Sequence, residues 1–305
     1  MSLTDFLSAA WADHASNCEG VATRLPGALT LAKSAEDIAP FVNLTVHVLG
    51  DHLGRWDDGL ELLSQVAATN FCEGDGDSGH AVQRGQAVLL LCKGDRTKAE
   101  ELAIRAHAGP SPRASTFIRI LAGAAAALAQ QKRIPEATSL FEEALGLTSY
   151  GPTRGDPAAR ALAVTANNLA SDLEGKADKL AVEIKLMKIA AATARQYWEV
   201  CGGWLEVERA EYRLAMTLLA ANEPAAGLEH AELCLSMCRT NNAGLFELFF
   251  GHEARAKCLL AMGRKNDAAS ARTSASQVVD SMSQSLKYLT EQLKNLDDLF
   301  GKNSL

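Results

Sequence analysis

The chain has 305 residues, of which 48% are hydrophobic, only 6% are aromatic and 22% are charged, and its formal net charge is −7. This apolar content can bury a core and excludes an intrinsically disordered chain, and no stretch approaches the roughly 18 consecutive apolar residues of a transmembrane helix. The excess of acidic residues lies in residues 1–80, which contain 12 acidic and 3 basic residues. This balance and the lack of basic runs argue against general binding to nucleic acid or anionic membranes.

The cysteines and the first residues of the chain predict a cytoplasmic protein. The cysteine count of 7 is odd and no CxxC pair occurs, which suits reduced thiols better than a disulfide framework. The first 14 residues have no basic region, and Asp5 and Asp13 interrupt their apolar run. They therefore do not resemble a secretory signal peptide.

Residues 1–35 are predicted to form an N-terminal capping hairpin of two helices. The break between the helices is expected near Cys18-Glu19-Gly20 or near Pro26-Gly27, because glycine and proline interrupt helices.

Residues 36–283 show a recurring helix–turn–helix pattern, which is clearest in residues 122–147. There a helix rich in small residues ends near Gln131, and a Lys-Arg turn leads into a second helix. The second helix carries apolar residues at i, i+4, i+7 and i+8, which form one stripe on its surface: Ala137, Phe141, Ala144 and Leu145. The predicted units are 36–72, 80–109, 114–149, 158–200, 204–240 and 244–283.

Each predicted unit has one tight turn between its two helices. The turn positions are Gly54, Gly94, Lys132, Gly175, Asn222 and Gly263. Glycine suits such turns because it tolerates positive φ. In the unit at 158–200 the second helix fits the apolar spacing poorly, and Arg272 interrupts the stripe of the last unit.

Residues 284–305 are predicted to form a C-terminal capping helix and tail. The apolar residues on one side of this helix are Leu286, Leu289, Leu293, Leu296 and Phe300. Such a stripe can cover the end of a repeat array, or it can pair with a second chain. A homodimer through residues 284–300 is therefore an alternative.

No metal, cofactor or catalytic site is predicted. His230, Cys234 and Cys238 are ligand types that zinc accepts, but i and i+8 lie about 12 Å apart along a straight helix, which is too far for one tetrahedral site. The other histidines are scattered along the sequence. GxSxG, P-loop, GxGxxG and HExxH motifs are absent, so we do not expect an enzyme.

Small residues in a first helix, a glycine-centred turn and an Ala…Phe…Ala second helix resemble a tetratricopeptide repeat. The residues that carry the resemblance best are Ala125, Lys132, Ala137, Phe141 and Ala144. Residues 167–170, Asn-Asn-Leu-Ala, resemble the first-helix start of the long repeats in kinesin light chains. His47 and Gly50 depart from the pattern, since a small and a large residue are usual there. The resemblance covers about residues 36–283 and implies an all-α, right-handed superhelical solenoid of antiparallel helix pairs.

The resemblance implies a non-catalytic adaptor that binds a protein or peptide in a concave groove lined by the first helices. Carried over by register, the residues that face this groove are Arg84, Arg119, Asn167, Ser171, Arg209, Tyr212, Arg213, Glu253 and Lys257. Asn167 resembles the asparagine with which related repeats hold the peptide backbone. The alternatives are a trans-acting module that senses a signalling peptide, a structural solenoid that self-assembles, and an enzyme with its site in the superhelix.

The cluster at 209–213 is the richest part of this predicted surface. Arg209 and Arg213 are one helical turn apart and Tyr212 lies beside them. Two guanidinium groups on one face suit an acidic segment or a C-terminal carboxylate. Alternatively, the glutamates of the same helix pair with these arginines at the surface; they are Glu206, Glu208 and Glu211.

Overall fold

The structure, a computed structural model, describes residues 1–107, 109–281 and 287–302. These residues form helices and loops without a β-strand, and consecutive helices pack in antiparallel pairs. The predicted all-α fold class is therefore confirmed. Every helix in the described part of the chain is too short or too polar to cross a lipid bilayer.

The chain divides into two compact units, residues 1–165 and residues 166–305, and the boundary falls inside one helix. The sequence pattern does not indicate this division, because a predicted unit, residues 158–200, runs across it.

In the described residues of the first unit there are eight complete α-helices and the start of a ninth. They are α1 (Leu3–Asp13), α2 (Cys18–Ala28), α3 (Ile38–Thr45), α4 (Trp56–Ala67), α5 (Asp77–Lys93), α6 (Arg96–Arg105), α7 (Arg113–Gln130), α8 (Ile134–Gly146) and α9 (Pro157–Glu174). A π-helical segment, Val46–His52, continues α3. Short 3₁₀ turns occur at Leu29–Leu31, Ala35–Asp37 and Leu147–Tyr150.

The part of the second unit that the structure describes contains the rest of α9 and six further helices. They are α10 (Ala181–Cys201), α11 (Trp204–Ala220), α12 (Pro224–Thr240), α13 (Leu245–Ala261), α14 (Lys265–Asp280) and α15 (Lys287–Lys302).

The N-terminal hairpin breaks at residues 14–17, between α1 and α2. Asn17 caps α2, because its side-chain oxygen accepts a hydrogen bond from the N–H of Gly20 at 3.1 Å. The break thus lies immediately before Cys18, close to the first predicted position. The other predicted break is wrong, since Pro26 lies inside α2.

Five of the six predicted turn positions have left-handed backbone conformation. Their φ angles are +62° at Gly54, +86° at Gly94, +61° at Lys132, +63° at Asn222 and +74° at Gly263. The sixth, Gly175, follows the end of α9 without a positive φ. A residue with positive φ after a helix lets the chain reverse within a few residues, which produces the antiparallel pairing.

Alanine-rich faces allow close helix packing in the first unit. Ala122 and Ala125 of α7 are fully buried, and so are Ala137, Phe141 and Ala144 of α8. The short side chains of α7 leave room for the Phe141 ring, whose burial contributes about 1.5–3 kcal/mol. Three residues of the predicted stripe therefore lie on the buried face of α8, and the fourth, Leu145, is half-buried.

The apolar side of α15 is used inside the second unit. Leu289 and Leu296 are fully buried with Phe249 of α13 and Ala268 of α14, and Leu293 is partly buried there. Nε of Arg272 on α14 lies 2.6 Å from Oδ1 of Asp297 on α15. Leu286, also predicted in this stripe, lies outside the described residues. The leucines buried within this unit are not available to a second chain.

Candidate functional site

Two of the predicted groove residues, Arg84 and Arg119, lie half-buried on adjacent helices of the first unit. Burial and repulsion from the nearby charge of Arg119 lower the pKa of Arg84 to about 10. Burial likewise lowers the pKa of Arg119. Among the described residues, neither guanidinium group makes a hydrogen bond or an ion pair. The two cations thus lie close together without a bonded counter-ion.

Asp156 is the carboxylate that acts on Arg119, and other donors already occupy it. It accepts hydrogen bonds from the hydroxyl of Ser115, from the hydroxyl of Tyr150 at 2.7 Å and from the N–H of Ala158 at 2.9 Å. Asp156 is 6% exposed. Its hydrogen bonds hold the loop before α9, and its charge offsets only part of the effect of burial on Arg119.

His80 adds an unused polar atom to the same helix face. It lies one helical turn before Arg84 on α5 and is buried, and its Nδ1 atom has no hydrogen-bond partner. Most buried polar atoms are hydrogen-bonded, so the unpaired nitrogen of His80 is an exception on the helix that carries Arg84.

The arginines of the 209–213 cluster are paired within the second unit. Nη2 of Arg209 lies 2.7 Å from Oε1 of Glu247 on α13. Nη1 of Arg213 lies 2.6 Å from Oε2 of Glu174 at the end of α9. Both guanidinium groups therefore connect neighbouring helices instead of presenting unpaired charge.

Three other predicted groove residues of this unit form one internal network. The hydroxyl of Tyr212 donates to Oε2 of Glu253 at 3.1 Å, and Nζ of Lys257 lies 2.8 Å from Oε1 of the same carboxylate. Glu253 is 1% exposed. Burial and the charge of Glu253 raise the pKa of Tyr212 well above its usual value, so the phenol stays a donor. This arrangement satisfies a buried carboxylate.

Asn167 and Ser171 lie one turn apart on α9 and are half-buried. Nδ2 of Asn167 donates a long hydrogen bond of 3.4 Å to Oδ1 of its neighbour Asn168. An amide held this weakly can exchange its partner for a ligand group.

Glu208 and Glu211 of α11 form hydrogen bonds and ion pairs with residues other than Arg209 and Arg213. Oε1 of Glu208 accepts hydrogen bonds from the thiols of Cys234 at 2.8 Å and Cys238 at 3.5 Å. Glu211 binds Arg195, and its Oε2 lies 2.6 Å from Nδ1 of His230. His230 thus faces Glu211, while both thiols face Glu208.

Three histidines that look scattered in the sequence meet at the surface of the first unit. The ring centroids of His14, His47 and His52 lie 4.5 to 5.3 Å from one another. Burial and the neighbouring imidazoles, His47 and then His14, lower the pKa of His52 to about 4. The sequence pattern did not bring these three residues together. The sequence signal that could have indicated this cluster is His47, which stands where the repeat pattern usually has a small residue.

Comparison with known proteins gives no family assignment. The sequence matches no protein-family model, and no curated protein is significantly similar to it.

Proposed function

We propose that this chain is a non-catalytic adaptor that binds an anionic segment of a protein or peptide. In this proposal the helix pairs form tetratricopeptide-like repeats in a right-handed superhelical solenoid, and the first helices line its concave groove. The left-handed turn residues support the proposal, because they recur between paired helices at the predicted positions. The buried small residues of α7 and the Ala…Phe…Ala face of α8 also support it.

We place the ligand's anionic group at Arg84 and Arg119, and this assignment rests on one observation. These two half-buried arginines have no bonded carboxylate among the residues described, whereas Arg209 and Arg213 do. Holding two unpaired guanidinium groups close together costs free energy. A carboxylate that enters between them offsets this cost and accepts bidentate hydrogen bonds.

The cluster at 209–213 then has a structural role in the proposal. A ligand that bound there would have to displace Glu247 from Arg209 and Glu174 from Arg213. Breaking such pairs leaves carboxylates with reduced solvation, which counts against the exchange. The preferred ligand chemistry is unchanged from the sequence prediction: an acidic segment or a C-terminal carboxylate.

The test compares the wild-type chain with the Arg84→Gln/Arg119→Gln double variant. Partners are captured from native lysate, and acidic peptides taken from them, with free or amidated C-termini, are titrated by fluorescence anisotropy. Truncating one partner of a buried charge pair costs about 2–5 kcal/mol, so we expect peptide affinity to fall by about 30-fold or more.

Arg105→Gln/Arg113→Gln is the matched control, because both arginines are exposed and lie on helices of the same unit. This variant should retain the wild-type affinity. If Arg84→Gln/Arg119→Gln binds the same peptides within threefold of wild type, the ligand site is elsewhere. If the wild-type chain binds peptides with a free C-terminus but binds their amidated forms more weakly, the C-terminal carboxylate is the recognised group.

The same titrations separate the remaining alternatives. A thermal shift with a short peptide and without a stable protein partner would favour the peptide-sensing module. Concentration-dependent sedimentation of the pure chain would favour a self-assembling solenoid. A stable partner protein that contains the acidic segment supports the adaptor.

A further inference from the structure

The three-histidine cluster joins parts of the chain that lie far apart in sequence. His14 is the residue that follows α1, and His47 and His52 belong to the π-helical segment Val46–His52. One nitrogen of each of the three rings lies within 4.8 Å of the corresponding nitrogens of the other two. The cluster is open to solvent, since the adjacent Trp11 is 41% exposed and the His47 side chain is 30% exposed.

The hydrogen bonds of the cluster turn one nitrogen of each ring towards the common centre. Nδ1 of His14 lies 2.7 Å from the carbonyl oxygen of Trp11, and Nδ1 of His47 lies 2.9 Å from Oδ2 of Asp51. Nδ1 is the donor in both bonds, so in the neutral rings Nε2 of His14 and of His47 carries the lone pair. The proton in the contact between His47 and His52 lies on Nε2 of His52, where a metal ion would displace it. Nε2 of His52 lies 3.0 Å from Nε2 of His47.

These outer contacts are the ones that accompany histidine ligands of metal ions. A metal-binding imidazole almost always donates its second N–H to a carboxylate or a backbone carbonyl, which fixes the tautomer and the ring orientation. Asp51 supplies the carboxylate for His47, and Trp11 supplies the carbonyl for His14. The His14 and His47 rings are therefore oriented before any ion arrives.

The π-helical segment is what places His47 and His52 on one side. Residues five apart on an α-helix point about 140° away from each other. Hydrogen bonds from residue i to i+5 widen the turn, as between the carbonyl of Val48 and the N–H of Leu53 at 3.2 Å. The wider turn brings the two rings to a centroid distance of 4.5 Å.

Neighbouring helices hold this segment in place. Nε2 of Gln131, the residue after α7, donates to the carbonyl oxygens of Asp51 at 2.7 Å and His52 at 3.1 Å. Nε1 of Trp56 donates to the carbonyl of Gly50 at 3.1 Å. Gly50 packs closely against Leu89, since a Cβ at position 50 would lie 2.7 Å from Cδ2 of Leu89 and would force that side chain to shift. π-Helical turns are rare and frequently occur at functional sites.

We propose that Nε2 of His14, His47 and His52 bind one divalent transition-metal ion, with Zn²⁺ as the favoured occupant. Nitrogen ligands of a tetrahedral zinc, with Zn–N bonds of about 2.0–2.1 Å, lie roughly 3.3 Å apart. The His47–His52 separation already matches this spacing to within a few tenths of an ångström, and a small rotation brings in His14. Three neutral imidazoles leave the fourth position to water or to a carboxylate.

A second cluster offers metal-ligand types but lacks this arrangement. Glu208, Cys234 and Cys238 of the second unit also place their ligand atoms within 4.8 Å. They are fully buried, and the thiols already donate hydrogen bonds to the carboxylate. Burial of this kind gives an ion no approach from solvent, so the histidine cluster is the site that we assign.

The test titrates the full-length, chelator-treated chain with Zn²⁺ against a chromophoric chelator. We expect one equivalent to bind in the wild type and in His107→Gln, a histidine control from the same unit. His14→Gln, His47→Gln and His52→Gln should each weaken binding at least tenfold. Asp51→Asn should weaken it about 10–100-fold, because outer partners of ligands have effects of this size. Cys234→Ser should leave the stoichiometry and the affinity unchanged.

Co²⁺ absorption of the wild-type protein provides a readout that needs no variant to fold. Nitrogen ligation gives visible d–d bands without an intense thiolate-to-cobalt charge-transfer band, which is the result we expect. A thiolate band, no Zn²⁺ binding by the wild type, or unchanged affinity in correctly folded His47→Gln and His52→Gln would each overturn the assignment. Far-UV circular dichroism establishes the folding of each variant.

Discussion

The hydroxyl of Tyr212 on α11 donates a hydrogen bond to Oε2 of Glu253 on α13, with the two oxygens 3.1 Å apart. Both residues were predicted to face a ligand. Instead they bind each other, and Nζ of Lys257 satisfies the second oxygen of the carboxylate. A polar residue on one helix can therefore stabilise the contact with another helix of the same compact unit. Its position on the helix alone does not assign it to a ligand.

Tyr212→Phe should destabilise the protein by about 1.5–3 kcal/mol, because the lost hydrogen bond goes to a buried charged group. Urea unfolding of wild type and variant measures the difference. Tyr288→Phe is the matched control: Tyr288 is 53% exposed, and the same change there should cost less than about 0.5 kcal/mol. Equal effects of the two substitutions would contradict a stabilising role for the Tyr212–Glu253 bond.

The difference in stability between the Glu208→Gln variant and the wild type should depend on pH. Burial raises the pKa of Glu208, so its stabilising protonated form is fully present below the unfolded pKa. That contribution is lost as the pH rises through the folded pKa. Glu208→Gln should therefore be more stable than wild type at pH 7, and the difference should vanish towards pH 4. Melting temperatures between pH 4 and pH 8 measure it.

Glu211 on the same helix gives the opposite expectation and serves as the internal control. Burial acts to raise its pKa, but hydrogen bonds and the charges of His230 and Arg195 lower it overall. Its contribution is present above the unfolded pKa and is lost as the pH falls through the folded pKa. Glu211→Gln should therefore be less stable than wild type at pH 7, by about 3 kcal/mol. The same sign of change in both variants would refute this account of the two carboxylates.

Removal of one unpaired arginine should stabilise the isolated protein. Methionine at position 84 or 119 keeps most of the apolar stem and removes one of two repelling charges, so Arg84→Met and Arg119→Met should each add about 0.5–2 kcal/mol. Denaturant midpoints measure this in the absence of ligand. In contrast, Arg213→Met breaks an ion pair and should destabilise the chain. A loss of stability in all three variants would show that attraction to Asp77 and Asp156 outweighs the repulsion between Arg84 and Arg119 and the cost of their burial.

Substitution by glycine at the two turn positions that hold another residue should also stabilise the protein. Lys132 and Asn222 adopt φ angles of +61° and +63°, and a left-handed conformation costs an ordinary L-residue about 1–2 kcal/mol. Lys132→Gly should therefore raise the free energy of unfolding by about 1 kcal/mol, with a smaller gain for Asn222→Gly. Gly94→Ala, where φ is +86°, should lower it by a similar amount. Thermal or urea unfolding checks all three, and a loss of stability in Lys132→Gly would contradict the turn assignment.

The turns and buried faces could be predicted from the sequence because they depend on local chemistry. Glycine at 54, 94 and 263 tolerates positive φ, and the spacing of Ala137, Phe141 and Ala144 determines one face of α8. The poorly matching unit at 158–200 is also where the predicted turn, Gly175, lacks a positive φ. The unit that fits the repeat pattern least well is thus also the one whose turn differs from the prediction.

The candidate sites could be predicted only in part. Arg84 and Arg119 were selected by register, but so were Arg209 and Arg213, and the glutamates near Arg209 and Arg213 in sequence are not the ones that bind them. The difference comes from Glu247 and Glu174, which are 38 and 39 residues away from the arginines that they bind. A charge that comes from another helix does not affect the periodicity of its own helix.

The sequence by itself determined the all-α class, the turn positions and the helix faces that are buried, because backbone preferences and apolar spacing act over a few residues. Only the tertiary structure decided which charges are paired and where His14 meets His47 and His52. Those outcomes depend on how separate helices pack and, for the histidines, on a π-helical turn held by Gln131 and Trp56. An α-helical reading of residues 46–52 points the two imidazoles apart, and the wider turn in the structure brings them together.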